Sequence, residues 1–594
     1  MDNQRNIIMA VVLTALILFG WDAGIGYFYP NANKPAPVAE STTAPAPDAP
    51  LKHTREGGLT NPADVALEAR DIKVALAAPG RVPIAAPGLS GSINPQGAVI
   101  DDLTANRHTD TIKKNSAPAR IFSPLGTPAQ HFAQFGWGGA NNADAGIELP
   151  SAATVWTAPE DARLTPASPV TLSWTNATGQ TFAIRYAIDG DYMLTVTQTV
   201  TNAGAAPVRL REIAQINRTD KTSSLDSWNV HAGPMGSFDQ AVQFAPNYDE
   251  VTDAAGGIAA NAGKADWLGF TDIYWMSTLI PDKSPATSDF RSMGKGIYLA
   301  NLFYSDADVA PGQQLTRTTR LFAGAKESAV LDRYQESGIT NFHLAIDWGW
   351  FRWFEKPLFT LLVKLFHLVG NFGVAIILLT LIVRGLMFPV AQRQFASMAA
   401  MRAIQPKVKA LQERYKDEKE KLQQEIMALY KQEKVNPLAG CLPIFLQIPI
   451  FFALYKVLIL AIEMRHQPFV LWIKDLSAPD PLMILNLFGL LPFTPPAFLG
   501  IGILAVVLGI TMWLQFKLNP APPDPVQQQV FAIMPWMMMF VMAPFAAGLL
   551  LYWITSNLLT IAQQKYLYAR HPAMRAMADQ EAADAKRAVA AKKS

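Results

Sequence analysis

Ile376-Ile-Leu-Leu-Thr-Leu-Ile-Val-Arg-Gly-Leu-Met-Phe-Pro389 decides what kind of protein this is. The run continues an apolar segment from Asn371 to Ala391, about the length of helix that crosses a ~30 Å hydrocarbon layer. One charge interrupts it. Arg384 lies eight residues before Gln392, so roughly 12 Å inside the end of the segment at ~1.5 Å per residue. An arginine at that depth costs ~2.5–3.5 kcal/mol on insertion scales. It must face a wet cavity or reach back to the interface along its own stem. Polar residues in the other apolar segments favour the cavity. Thr380 is one turn away on the same face, Gln447 sits at a similar depth in the next segment, and Ser556 and Asn557 interrupt the last one. Thr511 and Gln515 do the same in the fourth. Singly, such residues serve as interhelical glue; together they predict a polar pocket open to the cytoplasm. No acid stands at matching depth, so an ion pair is not expected.

Further segments of this kind are Leu442–Ala461, Ala497–Phe516, Val530–Ala543 and Ala547–Tyr566. At the N-terminus an apolar run from Ile7 to Trp21, extended to the aromatic edge at Tyr27 and Tyr29, reads as an uncleaved signal-anchor over residues 1–29. That makes six expected spans. Leu482–Pro496, broken by Pro492, Pro495 and Pro496, reads as an interfacial or re-entrant piece. Residues 392–440 carry ten Lys and Arg, and the tail over 569–594 is also basic. Arg465–Pro481 has only Arg465 and Lys474. The basic segments face the cytoplasm, which puts both termini inside and the large hydrophilic part outside.

That hydrophilic part follows a Pro- and Ala-rich linker over residues 30–69. Val170–Trp174, Phe182–Ile188, Met193–Val200 and Val208–Ile216 alternate with period two. They are punctuated by Asn176-Ala-Thr-Gly179, Asp189-Gly190 and Asn202-Ala-Gly204. This pattern predicts an all-β sandwich over 70–341. With one cysteine, Cys441, in the chain, it must be stable without disulfides. Over 342–370, Arg352, Lys356, Thr360, Lys364 and His367 share a helical face, opposite Trp353, Phe354, Leu361, Leu362 and Leu365. This is an amphipathic helix suited to a membrane surface. Lys456 is a second base within a span, and pairing with Glu463 is the simplest account of it. Within 392–440, Met401, Ile404, Val408, Leu411 and Tyr415, then Leu422, Ile426 and Leu429, predict two helices packed antiparallel along an apolar seam, the first begun or kinked by Pro406 and the second ending at Asn436-Pro437.

No nucleophile elbow, metalloprotease helix or phosphate loop is present, and the eight histidines show no metal-ligand spacing. The expectation is a non-enzyme with no cofactor, metal or small-molecule substrate. A transporter or channel is the alternative, but it calls for internal repeats and paired ionisable groups. A glycan-binding envelope protein is a third reading, by fold analogy alone.

The segment from Asp347 to Tyr568 resembles the core of YidC-type membrane protein insertases. The likeness rests on Ile382-Val-Arg-Gly385 with Pro389, Gln405-Pro406-Lys407, Ala428-Leu-Tyr-Lys431, Val435-Asn-Pro-Leu438 and Cys441-Leu-Pro443. It continues through Leu446-Gln-Ile-Pro-Ile-Phe451, Leu471-Trp-Ile-Lys-Asp-Leu476 and Gly548-Leu-Leu-Leu-Tyr-Trp-Ile-Thr-Ser-Asn557. The anchor plus large outer domain is similar to the Gram-negative form. The resemblance implies a five-span insertase core over 371–568 with a hydrophilic groove holding Arg384, and groove or substrate-contact positions at Thr380, Phe451, Tyr552 and Trp553. Gln447, Ser556 and Asn557 join them from the polar pattern. It also implies nascent membrane proteins as clients and the Sec translocon, ribosome and membrane lipids as partners. The family more often has a second tyrosine at Trp553, so an aromatic contact is what carries over there. Asn486–Pro496 is longer than the family pattern.

Overall fold

The computed structural model describes residues 53–139, 146–225, 230–349, 351–415, 418–433, 442–491, 500–519 and 525–570. The expected anchor, most of the linker, Asn436-Pro437, Pro492 to Pro496 and the tail beyond Arg570 lie outside them.

The period-two runs form antiparallel strands with the expected edges. Val170–Thr175, Gln180–Ile188 and Met193–Asn202 make a meander, and burial alternates strictly along Gln180–Ile188. Each turn is closed by the side chain that predicted it. Asn176 Oδ1 accepts from the backbone N–H of Thr178 (3.1 Å) and Gln180 (2.8 Å). Asp189 Oδ1 accepts from those of Asp191 (2.8 Å) and Met193 (3.1 Å). The next strand, Val208–Thr219, does not continue the meander. It crosses to a second sheet, where it pairs with His131–Gly139 and Ile297–Tyr304. Asn202 holds this crossing: fully buried, it donates to the carbonyls of Ala206 and Val309 (both 2.8 Å) and accepts from Gln180 Nε2 (2.9 Å).

Among the described residues one sheet has ten strands, two of them (Pro118–Phe122 and Ala307–Val309) paired beside its main path, and the other has eight. The ten-stranded sheet runs from Val82–Ala85 through Leu89–Asn94, Val99–Thr109, His131–Gly139, Val208–Thr219, Ile297–Tyr304 and Ala286–Gly294 to Ile258–Ala260. The eight-stranded one runs from Ala241–Gln243 through Gly233–Phe238, Ala265–Thr271, Trp275–Pro281, Gln314–Ala325 and Met193–Asn202 to the Gln180 and Val170 strands. Their facing side chains, among them Phe135, Leu210 and Ile216 against Phe182, Leu194 and Val196, belong to one buried core, as expected of a sandwich. The expected linker proves partly ordered. Asn61 caps a helix α1 (Pro62–Leu76) by accepting from Ala63 N (3.0 Å), because Asn-Pro-Ala-Asp is a helix start within an otherwise linker-like composition. A short helix α2 (Tyr248–Asp253) has a complete capping box, and α3 (Ser328–Glu336) follows the last strand.

The remaining helices are α4 (Arg352–Val369), α5 (Phe372–Leu386), α6 (Phe388–Ala403), α7 (Gln405–Arg414), α8 (Lys419–Gln432), α9 (Leu442–Leu460), α10 (Ile503–Leu518), α11 (Pro525–Met542) and α12 (Ala547–Arg570). Among the described residues no single helix is long and apolar enough to cross a membrane. The span expected over 371–391 is two helices, α5 and α6, bent by 66°. Pro389 lies in the first turn of α6; it lacks an N–H and its ring crowds the carbonyl four residues back. Arg384 therefore sits in the last turn of α5 rather than in the interior of a straight span. At the amphipathic helix, Trp353 is 71% exposed beside Arg352, Lys356, Thr360 and Lys364, not on the apolar side. The buried face is Leu358, Phe359 and Leu362. Lys456 pairs with Asp347 (3.7 Å) and not with Glu463, which instead accepts from the backbone of Ser328 (3.0 Å). The two helices pack along the expected apolar seam: Ile404, the residue before α7, and Val408 of α7 pack on Tyr430 of α8, flanked by Met401, Ile426 and Leu429.

Glu212, on the central strand Val208–Thr219, is fully buried, and burial pushes its carboxyl up to about 7. In the unfolded chain it titrates near 4.5. The fold is therefore favoured fully below about pH 4.5, and that advantage is lost as pH rises to about 7. Denaturant unfolding of the β-domain within the full chain should show a midpoint that falls from pH 5 to pH 8. Glu212→Gln should flatten that slope and raise the midpoint at pH 8.

Candidate functional site

Three helices converge on Arg384. Its own helix, α5, is continuous and apolar, with Ala375, Ile376, Leu379 and Thr380 buried against the bundle. α12 presents Tyr552 and Ser556, one turn apart on the same face, both buried. α9 presents Gln447. The guanidinium donates from Nε to Ser556 Oγ (3.1 Å) and from Nη2 to the same hydroxyl and to Gln447 Oε1 (3.2 Å). Gln447 Nε2 in turn donates to Tyr552 OH (2.7 Å). The network thus runs from a permanent cation through two neutral side chains to a phenol. Among the described residues no carboxylate pairs with Arg384. Every acceptor it has is uncharged, so its direction is fixed while its charge is not cancelled.

An aromatic wall adjoins the network. Phe451, one helical turn beyond Gln447 on α9, lies 5.1 Å from the Trp553 ring and stacks on Tyr455 at 6.1 Å. Tyr455 meets Phe545 at 5.7 Å. Phe451 and Trp553 are both half-buried. Outside the bundle, Leu381, Ile382 and Leu386 of α5 and Phe452 of α9 are exposed large apolar groups.

Of the eight residues singled out in the sequence, Arg384, Gln447, Tyr552 and Ser556 form one hydrogen-bonded group, and Phe451 and Trp553 pack beside it. Thr380 and Asn557 do not bond to the guanidinium. Thr380 is buried and donates to the carbonyl of Ile376 in its own helix (2.7 Å). Asn557 bridges α12 to α10 through Thr511 Oγ1 (3.2 Å). Both are the interhelical or intrahelical glue that short polar residues supply between apolar helices. Tyr455 was missed: within an apolar run an aromatic carries no sign of which face it takes.

Two family models match the chain in succession. The "YidC periplasmic domain" covers residues 81–361 and the "60Kd inner membrane protein" covers residues 364–574. The chain is 43% identical over 578 residues to the membrane protein insertase YidC of Zymomonas mobilis, spanning 96% of both proteins. It is 41% identical to that of Rhizobium etli, again over 96% of each. The chain belongs to the YidC membrane protein insertase family. A solved "Active YidC insertase crystal structure with the first transmembrane domain resolved" is 17% identical, covers 84% of this chain and 98% of its own, and aligns with a TM-score of 0.36. By the two family models and the relatives, the strand sandwich is the periplasmic domain of an inner-membrane insertase, and the Arg384 cluster lies in the part that matches the inner-membrane model. The family is one of insertases and not of enzymes. Nothing in the site calls for a nucleophile or general base.

Removing the Ser556 hydroxyl leaves two donors of Arg384 without their acceptor. Ser556→Ala should cost about 0.6–1.7 kcal/mol, the range measured for hydrogen bonds between membrane helices, read as an earlier midpoint in detergent-induced unfolding. An unchanged midpoint would show that the guanidinium bonds to water instead.

Proposed function

We propose that this chain inserts and folds inner-membrane proteins by offering a polar, singly charged site between α5, α9 and α12 to segments that must leave the cytoplasm. One observation carries the reading: among the described residues Arg384 is held by Ser556 and Gln447 and by no carboxylate. A buried charge with only neutral acceptors is attractive to an acidic or polar peptide. Moving such a peptide into lipid costs several kcal/mol for each unsatisfied backbone group. A hydrated groove lined by hydroxyl and amide groups lowers that cost by supplying acceptors and donors part-way. Phe451 and Trp553 offer flat apolar surface for the client's apolar side chains. The exposed Leu381, Ile382 and Leu386 lead outward to where a finished span would enter lipid.

The proposed arrangement has six spans: an N-terminal anchor and five in the helical core, with the α5–α6 bend accommodated in the first of the five. Both termini and the α7–α8 hairpin face the cytoplasm, where the ten basic residues of 392–440 suit a ribosome carrying a nascent chain. Clients are nascent membrane proteins, received alone or together with the Sec translocon.

Arg384→Ala in the full chain should reduce insertion of a client with an acidic translocated segment by roughly tenfold, the effect of about 1.4 kcal/mol. A client with a neutral short segment should be affected less. Arg384→Lys keeps the charge but not the bidentate geometry, and should restore most of the acidic client's insertion. Normal insertion of every client by Arg384→Ala would remove the charge from the mechanism. A photocrosslinker at position 447 or 451 should capture a ribosome-bound client, whereas one at the buried position 380 should capture less.

A further inference from the structure

The loop that follows α9, residues Ile462–Ser477, is where the helical core meets the strand sandwich. Arg465 donates to the carbonyls of Thr109 (2.6 Å) and Asp110 (3.2 Å) and to Glu56 Oε2 (3.1 Å). Arg55 donates to Tyr274 OH (2.9 Å) and the carbonyl of Ile459 (3.3 Å), and also to the carbonyl of Ser477. The short strap around Arg55 and Glu56, which precedes α1, is thus laid between the sandwich and the loop. The insertase reading assigns no role to this junction.

At its centre Glu56, His466 and Asp475 bring three ligand atoms within 4.8 Å of one another. His466 Nε2 is 3.8 Å from Glu56 Oε2 and 3.9 Å from Asp475 Oδ2. These distances are too long for hydrogen bonds. Two ligands bound at ~2.1 Å to one tetrahedral zinc stand about 3.4 Å apart, so an adjustment of roughly half an ångström brings His466 to that spacing from each carboxylate.

The bonds that would orient two of the ligands are present. Asp475 Oδ1 is occupied by three donors, His466 N (3.2 Å), Ser477 N (2.8 Å) and Ser477 Oγ (2.6 Å), which leaves Oδ2 turned toward His466. His466 Nδ1 lies 3.4 Å from Thr109 Oγ1. With the proton on Nδ1, that contact holds the ring and leaves the Nε2 lone pair for a metal, as outer-shell partners of metal-bound histidine do. Among the described residues, Asp475 pairs with His466 and with no lysine or arginine. Glu56 Oε2, the oxygen that lies 3.8 Å from His466, also accepts from Arg465 Nε (3.1 Å) and keeps a second lone pair for an ion. Two carboxylates converge on one imidazole, and Arg465 is paired with one of them; a divalent ion would balance the other and join the three.

We propose that Glu56, His466 and Asp475 form a structural zinc-class divalent-cation site that staples the strap before α1 to the loop after α9. One imidazole and two carboxylates suit zinc, with water as the fourth ligand. Glu56 lies about four hundred residues before the other two, and His466 and Asp475 stand nine apart, so no short ligand spacing in the sequence marks them.

The test is binding of Zn2+ and Co2+ to the full-length protein, purified without a histidine tag in detergent, read by competition with a chromogenic chelator and by the visible absorption of bound Co2+. One ion per chain is expected, with the absorption of a four-coordinate Co2+ centre. Asp475→Asn, which keeps the oxygen that accepts from Ser477, and His466→Gln should each weaken binding by roughly tenfold or more, and Thr109→Val by about tenfold. Lys407→Ala, in the distant hairpin, should bind as the parent does. Circular dichroism of each variant checks that it is folded. Saturating Zn2+ should also slow trypsin cleavage after Arg55 in the parent but not in Asp475→Asn. Absence of binding by the parent, or equal binding by the parent and both ligand variants, overturns the proposal.

Discussion

A guanidinium placed among apolar helices must find acceptors, and the packing of the helical core follows from how this one does. Among the described residues Arg384 finds one hydroxyl, from α12, and one amide oxygen, from α9. Both helices must therefore approach the last turn of α5 closely enough for hydrogen bonding. Ser556 permits that approach because it is small; Gln447 permits it because it is long and is itself held by Tyr552. Neutral acceptors orient the charge without consuming it. A carboxylate in either place would make a stronger bond and a closed site. The absence of an acid at matching depth in the sequence has its counterpart in this geometry.

Elsewhere in the junction the opposite device is used, with anions holding the backbone. Asp480 is buried and accepts from Leu504 N (2.8 Å) at the start of α10, and its other oxygen accepts from Leu482 N and Trp472 Nε1 (both 3.0 Å). Glu463 takes the first free N–H of α3, at Ser328. Helix N-termini carry unsatisfied donors and partial positive charge, so an anion from a neighbouring loop can fix a whole helix with one or two bonds. The effect here is to tie helices of the core and of the sandwich to the segment that follows α9. Lys456, meeting Asp347 rather than the nearer-in-sequence Glu463, belongs to the same pattern: Glu463 is engaged elsewhere.

Much was legible where local physics decides the outcome. The strand edges over 170–216 and their turns were visible because Asn176 and Asp189 close turns with their own side chains, whatever the rest of the chain does. The hairpin seam of Ile404, Val408 and Ile426 was visible because helical periodicity is local. The same holds for the resemblance to the insertase family, which rests on contiguous motifs. Less was legible at junctions. Helix α1 begins inside a linker-like composition. Pro389 was seen, yet whether a proline bends a span or merely starts its next segment depends on what packs on either side. Trp353 was assigned to the apolar face by helical angle, but its exposure depends on which arc of α4 the neighbouring helices cover.

The sequence by itself determined that this chain has an apolar helical part with one buried arginine, a strand-rich part stable without disulfides, and a basic hairpin. Hydrophobic periodicity, charge and turn chemistry act over a few residues and need no partner. Only the tertiary structure decided which polar residues meet. Ser556 and Gln447 reach Arg384, whereas Thr380 bonds within its own helix and Asn557 turns to Thr511. Glu56, His466 and Asp475 converge although nothing in their spacing joins them. Depth along a helix can be counted from the chain, but the direction a side chain faces and the partner it finds are set by how helices rotate to bury their apolar surface. That rotation is a property of the packed whole.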